Sequence, residues 1–349
     1  MLGWQRRVIA HAQVNFPPPT FTPAAPVPAS HPPHQPHQPL PLRDGVGAST
    51  VALPPGPWPT IHAFLCERFP AVPASTWAAR MAAGDVLDEH GHAVPQGRRY
   101  AAHLKLFYYR SVDAEPKLPF EESVLFHDEH LLVADKPHFL PVTPGGRHLQ
   151  ETLLVRLKRR LGISALVPIH RLDRETAGLV LFSVNPATRG RYLALFRERQ
   201  VAKVYEAVVR PGAAPGGFDP AALPIVRESR IVPGTHFMQM TEAPGEPNAV
   251  TRVTLIERHG PLARLRLEPL TGRTHQLRVH CAALGAPIEG DTLYPVLQAA
   301  GSDDWARPLQ LLARTLAFTD PVNGEARRFS STRELNLHPL ADGSGGPSA

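Results

Sequence analysis

Proline limits what this chain can fold into more than any other residue. Between residues 16 and 59 it recurs as FPPPTFTPAAPVPASHPPHQPHQPLPL and again as LPPGPWP. Each proline lacks an amide hydrogen and fixes φ, so such a tract cannot build the interior of a helix or a sheet. Residues 1–57 are therefore expected to form a disordered or polyproline-like arm that buries little, and the fold must be sought in the residues beyond it. Within the arm His31, His34 and His37 recur every third residue, on one face of a polyproline helix. That spacing suits either a weak metal site or a biased spacer.

The 349 residues exceed what one ordinary domain needs. The formal net charge is +6, which favours polyanionic partners, because each Lys or Arg set on a phosphate releases condensed counterions. The two cysteines, Cys66 and Cys281, are far apart and belong to no ligand pattern, so neither a disulfide framework nor a structural zinc site is expected. No stretch approaches the roughly 18 apolar residues of a membrane span, and the basic start MLGWQRRVIAHAQV carries only a short apolar run. A soluble cytoplasmic protein is expected.

From Trp58 the composition becomes globular. Ile61, Phe64, Leu65 and Phe69 share a helical face, a second helix is expected from Ser75 to Gly84, and DVLDEHGHAV reads as a hairpin turned at His90-Gly91. Farther on, Ser123–Lys136 reads as a hairpin. Gln150–Leu161 reads as a helix stopped by Gly162, with Leu153, Leu154, Leu157 and Leu161 inward and Arg156, Lys158, Arg159 and Arg160 outward. Leu179–Val184, Lys203–Val209 and Ala263–Leu267 are expected strands. A helix capped by Asn185-Pro186 should run to Arg199, and Thr274–Leu284 should be helical. The expected organisation is an arm at 1–57, a small α/β domain at 58–112, one α+β domain at 120–338 and a flexible tail at 339–349.

Chemistry concentrates in His170-Arg171-Leu172-Asp173-Arg174-Glu175-Thr176-Ala177-Gly178-Leu179, a loop leading into a strand. One carboxylate, Asp173, sits among His170, Arg171 and Arg174. Nearby cations favour the ionised carboxylate, a competent nucleophile. An ordinary surface ion pair would look the same from this segment alone. It does not stand alone, however. Downstream come Leu270-Thr271-Gly272-Arg273-Thr274-His275-Gln276-Leu277-Arg278-Val279-His280, between the two Lys203-Val204-Tyr205-Glu206-Ala207, and upstream Ala134-Asp135-Lys136-Pro137. The basic faces Lys158–Arg160 and Arg189–Arg199 are candidates for tracking phosphates.

These four segments, in this order, resemble the RluA-type RNA pseudouridine synthases over roughly residues 120–335, and Gly290-Asp291-x-Leu293-Tyr294 matches a further phrase of that family. The resemblance implies an α+β fold, with a mixed, mainly antiparallel sheet, flanking helices and a central RNA-binding cleft. It implies an isomerase that converts a uridine in ribosomal or transfer RNA, needs no cofactor or metal, and works as a monomer. It implies that Asp173 is the nucleophile, that Tyr205 packs beside the target nucleotide or acts as a base, and that Arg273 pairs with the nucleophile. Arg171 would replace the extruded uridine in the stack, Leu179 would wall the base or else belong to the core, and His170, Arg174, Thr274, His275, Gln276 and Arg278 would contact RNA. Physically, an enzyme acting on a base must take it out of the stack, and a planar guanidinium can offset that cost of a few kcal/mol.

Residues 58–112 resemble the S-four type of RNA-binding domain, with Gly84-Asp85-Val86-Leu87-Asp88 at the characteristic turn. The basic residues of its second helix are reduced here to Arg80, leaving open whether it binds RNA or is a structural accessory. The larger segment departs from its family at Ala177, where serine is usual, in the bulky run DKPHFLPVTPGG, and at Leu312 in place of histidine. A folding aid on the same fold, its chemistry lost, is the other reading, but such a protein would have no reason to keep Asp173, Tyr205 and Arg273 together. A glycosidase would need a second carboxylate to activate water, and no motif position supplies one.

Overall fold

The computed structural model describes residues 40–110, 115–212, 220–298 and 303–337. The histidines of the proline-rich tract and the tail at 339–349 lie outside them. The first elements are strand β1 (Ser49–Ala52), helices α1 (Ile61–Arg68) and α2 (Ala74–Ala82), and strands β2 (Val86–Leu87) and β3 (Lys105–Tyr108). β3 lies between β1 and β2, antiparallel to both. Thr60 caps α1 by accepting the Ala63 amide at 3.1 Å. Ile61, Phe64 and Leu65 then pack against Trp77, Met81 and Leu106 in a core of their own. The turn at His90-Gly91 forms as its residues dictate: Gly91 takes φ +80°, and the Asp88 carboxylate accepts the amides of His90 and His92 at 3.0 Å each.

β1 corrects the expected arm at 1–57. The run Ser49–Ala52 is free of proline and pairs residue for residue with Tyr108–Lys105, and Val46 and Leu53 on either side are buried. The prolines punctuate this strand rather than forbid it.

The larger sheet is built from β4 (Ser123–His127), β5 (Leu131–Lys136), β6 (Val167–Pro168), β7 (Ala177–Ser183), β8 (Ala202–Val209), β9 (Ile225–Pro233), β10 (Met240–Ala243), β11 (Ala249–His259), β12 (Leu262–Pro269), β13 (Leu311–Thr319) and β14 (Ala326–Ser330). Its order is β10-β9-β11-β12-β8-β13-β7-β5-β4, with β6 beside β7 and β14 beside β13. Among the described residues every strand pairing is antiparallel except β7 with β13, so the sheet is mixed and mainly antiparallel, as expected. Three helices cover it: α3 (Leu153–Leu161), α4 (Arg189–Arg197) and α5 (Gln276–Ala283). α3 sets Leu153 and Leu157 on Leu132, Val180 and Phe182. α4 sets Tyr192 and Leu195 on Leu131, Val133, Leu179 and Leu181. α5 sets Leu277 and Cys281 on Ala207, Leu265 and Leu311. Covered on both faces, β7 is buried at every position, which is why it reads as an unbroken apolar run.

Two expectations about surface helices change. α3 ends at Gly162 with φ +70°, as expected, but Arg156, expected to face outward, is held in ion pairs, as is Arg160 of the expected phosphate-tracking face. The Arg156 guanidinium is bound to Glu151, Glu122 and the carbonyls of Leu118 and Phe120, and Arg160 joins Glu122 at 3.0 Å. Asn185 does not cap α4 directly. Its side chain accepts the Ala187 amide at 2.9 Å in a turn, and the helix starts at Arg189.

The parallel contact explains one residue of the nucleophile motif. Gly178 takes φ +110° against Ala313 of β13, and a Cβ there would lie 2.4 Å from the Ala313 carbonyl oxygen. Gly178→Ala combines a strained φ with a backbone collision and should destabilise the protein by about 3 kcal/mol or more. Urea unfolding checks this: the midpoint should fall with an unchanged slope, and an unaltered midpoint would remove the argument.

Candidate active site

Asp173 lies on the loop from β6 to β7, and that loop is held from behind. Lys136, at the end of β5 and wholly buried, donates its three ammonium hydrogens to the carbonyls of Pro137, Leu140 and Arg174 at 2.9, 2.8 and 2.9 Å. Burial pulls its pKa down to about 7, but three carbonyl acceptors call for three N–H donors, and this geometry favours the ammonium. His138, whose pKa burial lowers to about 4, donates from Nδ1 to the Glu175 carbonyl at 2.6 Å. The DKPH segment thus fixes the backbone of the two residues that follow the nucleophile position, Arg174 and Glu175.

The loop forms one wall of a cleft of about 410 Å³. Asp173, Tyr205 and Arg273 line it together, so the three predicted catalytic positions share one site. Their partnerships differ from expectation. Arg273 is exposed, its Nε donates to the Asn248 carbonyl at 3.1 Å, and it is not the partner of Asp173. That position belongs to Arg278, in the first turn of α5. Nη1 of Arg278 stands 3.5 Å from Asp173 Oδ2, while Nε and Nη2 bond the two oxygens of Asp291 at 2.9 and 2.7 Å. Burial works against this guanidinium's charge, but Asp291, then Asp173 and Glu175, hold its pKa well above the ordinary value. Nη1 is buried and has no hydrogen-bond partner among the described residues, which leaves one oriented cationic donor facing the nucleophile.

His275 approaches the same Asp173 oxygen at 3.8 Å and meets the Tyr294 hydroxyl at 3.0 Å through Nδ1. Burial depresses its pKa although Asp173 pulls the other way, so the permanent cation beside Asp173 is Arg278. Tyr205 stands on β8. Burial, then the negative Asp173, raise its phenol pKa well above the ordinary range and keep the hydroxyl protonated.

Several residues expected to contact RNA are occupied instead. His170 stacks on Phe196 at 4.6 Å and accepts the Leu181 amide through Nε2 at 3.1 Å; burial takes its pKa to about 3, so it is a neutral wall of the cleft. Arg174 forks onto Asp303 at 2.6 and 2.7 Å. Gln276 is buried, accepting from the Thr271 hydroxyl and Arg273 amide and donating to Val250 and Thr251, which braces the turn into α5. Leu179 is fully buried among Leu131, Leu181 and Leu316 and does not reach the cleft, because it lies on the α4 side of β7. Arg171 and Thr274 remain exposed at the rim. Lys203, whose Nζ donates to the Thr271 carbonyl at 3.2 Å, joins them as a cation that sequence reasoning had not singled out. Asp291 was visible only as part of a phrase, and Asp303 gave no sequence signal. Among the described residues no group of His, Cys, Asp or Glu could hold a metal ion, and no helix is long and apolar enough to cross a membrane.

Comparison with known proteins bears on the same segments. A family model described as RNA pseudouridylate synthase matches residues 130–283, which include Asp173, Tyr205 and Arg278. An uncharacterized RNA pseudouridine synthase of Synechocystis sp. is 32% identical over 235 residues, covering 66% of this chain and 78% of its own length. The dual-specificity RNA pseudouridine synthase RluA of Haemophilus influenzae is 32% identical over 226 residues, 64% of this chain and 99% of that protein. The ribosomal large subunit pseudouridine synthase D of Xanthomonas campestris is 32% identical over 295 residues, 80% and 86% of the two chains. Among solved structures, human RNA Pseudouridylate Synthase Domain Containing 1 aligns with a TM-score of 0.50 at 26% identity, over 63% of this chain and 86% of that one. Relatives matched over most of their own length, and an aspartate cleft assembled from the motifs they suggest, lead to one conclusion: the chain belongs to the RluA-type RNA pseudouridine synthases, isomerases that turn uridine into pseudouridine within RNA.

Proposed function

We propose that Asp173 is the nucleophile of this isomerisation and that the substrate is a uridine in structured RNA, with large-subunit ribosomal RNA first and a transfer RNA anticodon stem-loop second. The observation that carries the reading is the buried Arg278 Nη1, without a hydrogen bond among the described residues and 3.5 Å from a partly exposed carboxylate at the wall of the cleft. A preorganised donor of this kind aims the carboxylate without tying it down. In the reaction the sugar–nitrogen bond breaks, the base turns, and a sugar–carbon bond forms. The hydrogen lost from that carbon is matched by one gained on nitrogen. Nothing is oxidised and no water is consumed, so the balance needs no cofactor; the protein is proposed to act as a single chain in the cytoplasm. Tyr205, protonated, serves as a ring packed beside the base rather than as a base catalyst.

Ribosomal RNA is favoured because the relative named for the large ribosomal subunit matches 80% of this chain, against 64% for the dual-specificity relative. Two helices against a small antiparallel sheet at residues 49–108 support an S-four-like accessory there. Arg80 of its second helix lies 5.1 Å over the Trp77 ring, and burial lowers its pKa, which weighs towards packing rather than phosphate contact.

Arg171, exposed at the rim, is the residue to fill the stack as uridine leaves. Mapping pseudouridines in total RNA from cells without this protein identifies the site. Arg171→Ala should then slow modification of a hairpin carrying that site by about tenfold more than of an unpaired strand, since only the hairpin must be unstacked. Equal losses on both substrates would remove the extrusion role.

A further inference from the structure

Two carboxylates approach the same nitrogen behind the cleft. Arg278 Nη1 lies 3.5 Å from Asp173 Oδ2 and 3.9 Å from Glu175 Oε2, and it donates to neither. At these separations a small rotation of Glu175 would give it the donor and leave Asp173 facing a second negative charge instead of a cation. Arg174 opposes that rotation: its Nε and Nη2 both reach Glu175 Oε1 at 3.0 Å. Arg174 is itself fixed from the far side. Nη1 bonds Asp303 Oδ2 at 2.7 Å and Nη2 bonds Asp303 Oδ1 at 2.6 Å, and Arg147 adds a contact to Asp303 at 3.3 Å. The result is a row of alternating charge, Arg147, Asp303, Arg174, Glu175, Arg278 and Asp173, reaching from the surface to the cleft.

We infer that Asp303 and Arg174 are positioning residues for Asp173, which act by holding Glu175 away from Arg278 Nη1 so that this donor serves the nucleophile. The fork makes the pair specific: a guanidinium bound through two parallel bonds cannot swing towards the cleft, as a single contact would allow. The charges agree. Burial alone would raise the Glu175 pKa, and Arg174 and then Arg278 bring it below the ordinary value, so Glu175 is a charged competitor. Asp303 stands 129 residues from Arg174 in a segment outside all four motifs. The same fork accounts for Arg174 being unavailable to phosphate. This inference rests on Asp173 being the nucleophile.

The test is suppression. Full-length wild type, Asp303→Asn, Arg174→Met and Glu175→Gln, and the doubles Asp303→Asn/Glu175→Gln and Arg174→Met/Glu175→Gln, are assayed by single turnover on total RNA from cells lacking the protein. Asp303→Asn and Arg174→Met should each slow pseudouridine formation by about 10- to 100-fold, the scale of a misplaced reacting group. Their affinity for a hairpin bearing the modified site should change by less than about threefold. Removing the charge of Glu175 should restore each double to within about threefold of Glu175→Gln alone, a coupling that packing does not produce. Doubles as slow as the singles, or a loss confined to RNA affinity, overturn the proposal. Asp303 is on a surface segment, so Asp303→Asn carries the test if Arg174→Met fails to fold. Asp173→Asn is the control: if it stays active, the nucleophile assignment falls and this inference with it, whereas an inactive control with no suppression removes only the positioning role.

Discussion

Asp173→Ala is expected to end pseudouridine formation, with a rate loss on the order of 10⁴-fold or more, the scale of removing an enzyme's nucleophile. RNA affinity at fixed salt should stay within about threefold, because phosphate contacts supply most of such binding and Asp173 contributes no positive charge. The fold should also survive. Asp173 is partly exposed, and its loss leaves Arg278 joined to Asp291 through two bonds. Chemical mapping of pseudouridine, a binding isotherm and a thermal melt on one preparation give all three readings. Activity retained by this variant would end the mechanism, and lost binding would turn Asp173 into a structural residue.

Arg278→Met should produce the second large effect and should damage fold and chemistry together. The guanidinium is 1% exposed and the Asp291 side chain fully buried, so the substitution strands a carboxylate in the interior at a cost of about 3–5 kcal/mol. The rate should fall by about 10²- to 10³-fold in whatever protein remains folded, as when one aimed donor is lost elsewhere. Arg278→Lys separates the two effects. A single ammonium can compensate Asp291, but it cannot grip two oxygens and also face Asp173, so stability should return in part and rate should not. Arg273→Ala is the comparison that decides between the arginines. Exposed and bonded to one backbone carbonyl, Arg273 should contribute less than about 1 kcal/mol to stability, and its loss should weaken RNA binding rather than the chemical step. If Arg273→Ala proves the more damaging to rate, the pairing described for Arg278 is wrong.

The choice between those arginines shows what the sequence can and cannot carry. The order of the motifs brought Asp173, Tyr205 and the Arg273–Arg278 segment into one cleft, and caps and periodicity located α1, α3 and the buried strands within a few residues. Helical periodicity could not be extended back to Arg273, because His275 takes φ +54° and redirects the chain just before α5. Arg273 therefore leaves the helix axis while Arg278, within the helix, comes to face Asp173. Whether Leu179 walls the base or belongs to the core stayed open for a related reason. In a strand buried on both faces, apolar character does not say which side a residue occupies. The fork of Arg174 onto Asp303 was illegible because nothing local predicts a contact across 129 residues. β1 was hidden by its neighbours: four strand residues between prolines lower no average enough to be noticed.

The parallel pairing of β7 with β13 has a consequence for synthesis. Ala177 and Gly178 lie against Leu312 and Ala313, and Asp135, just before Lys136, is bonded to Ser331 and Thr332. The nucleophile loop is thus buttressed by chain that the ribosome makes more than a hundred residues after the loop itself. Contacts so distant in sequence close late, so a nascent chain carrying every catalytic group should still be inert, and modification can begin only after translation has passed β13.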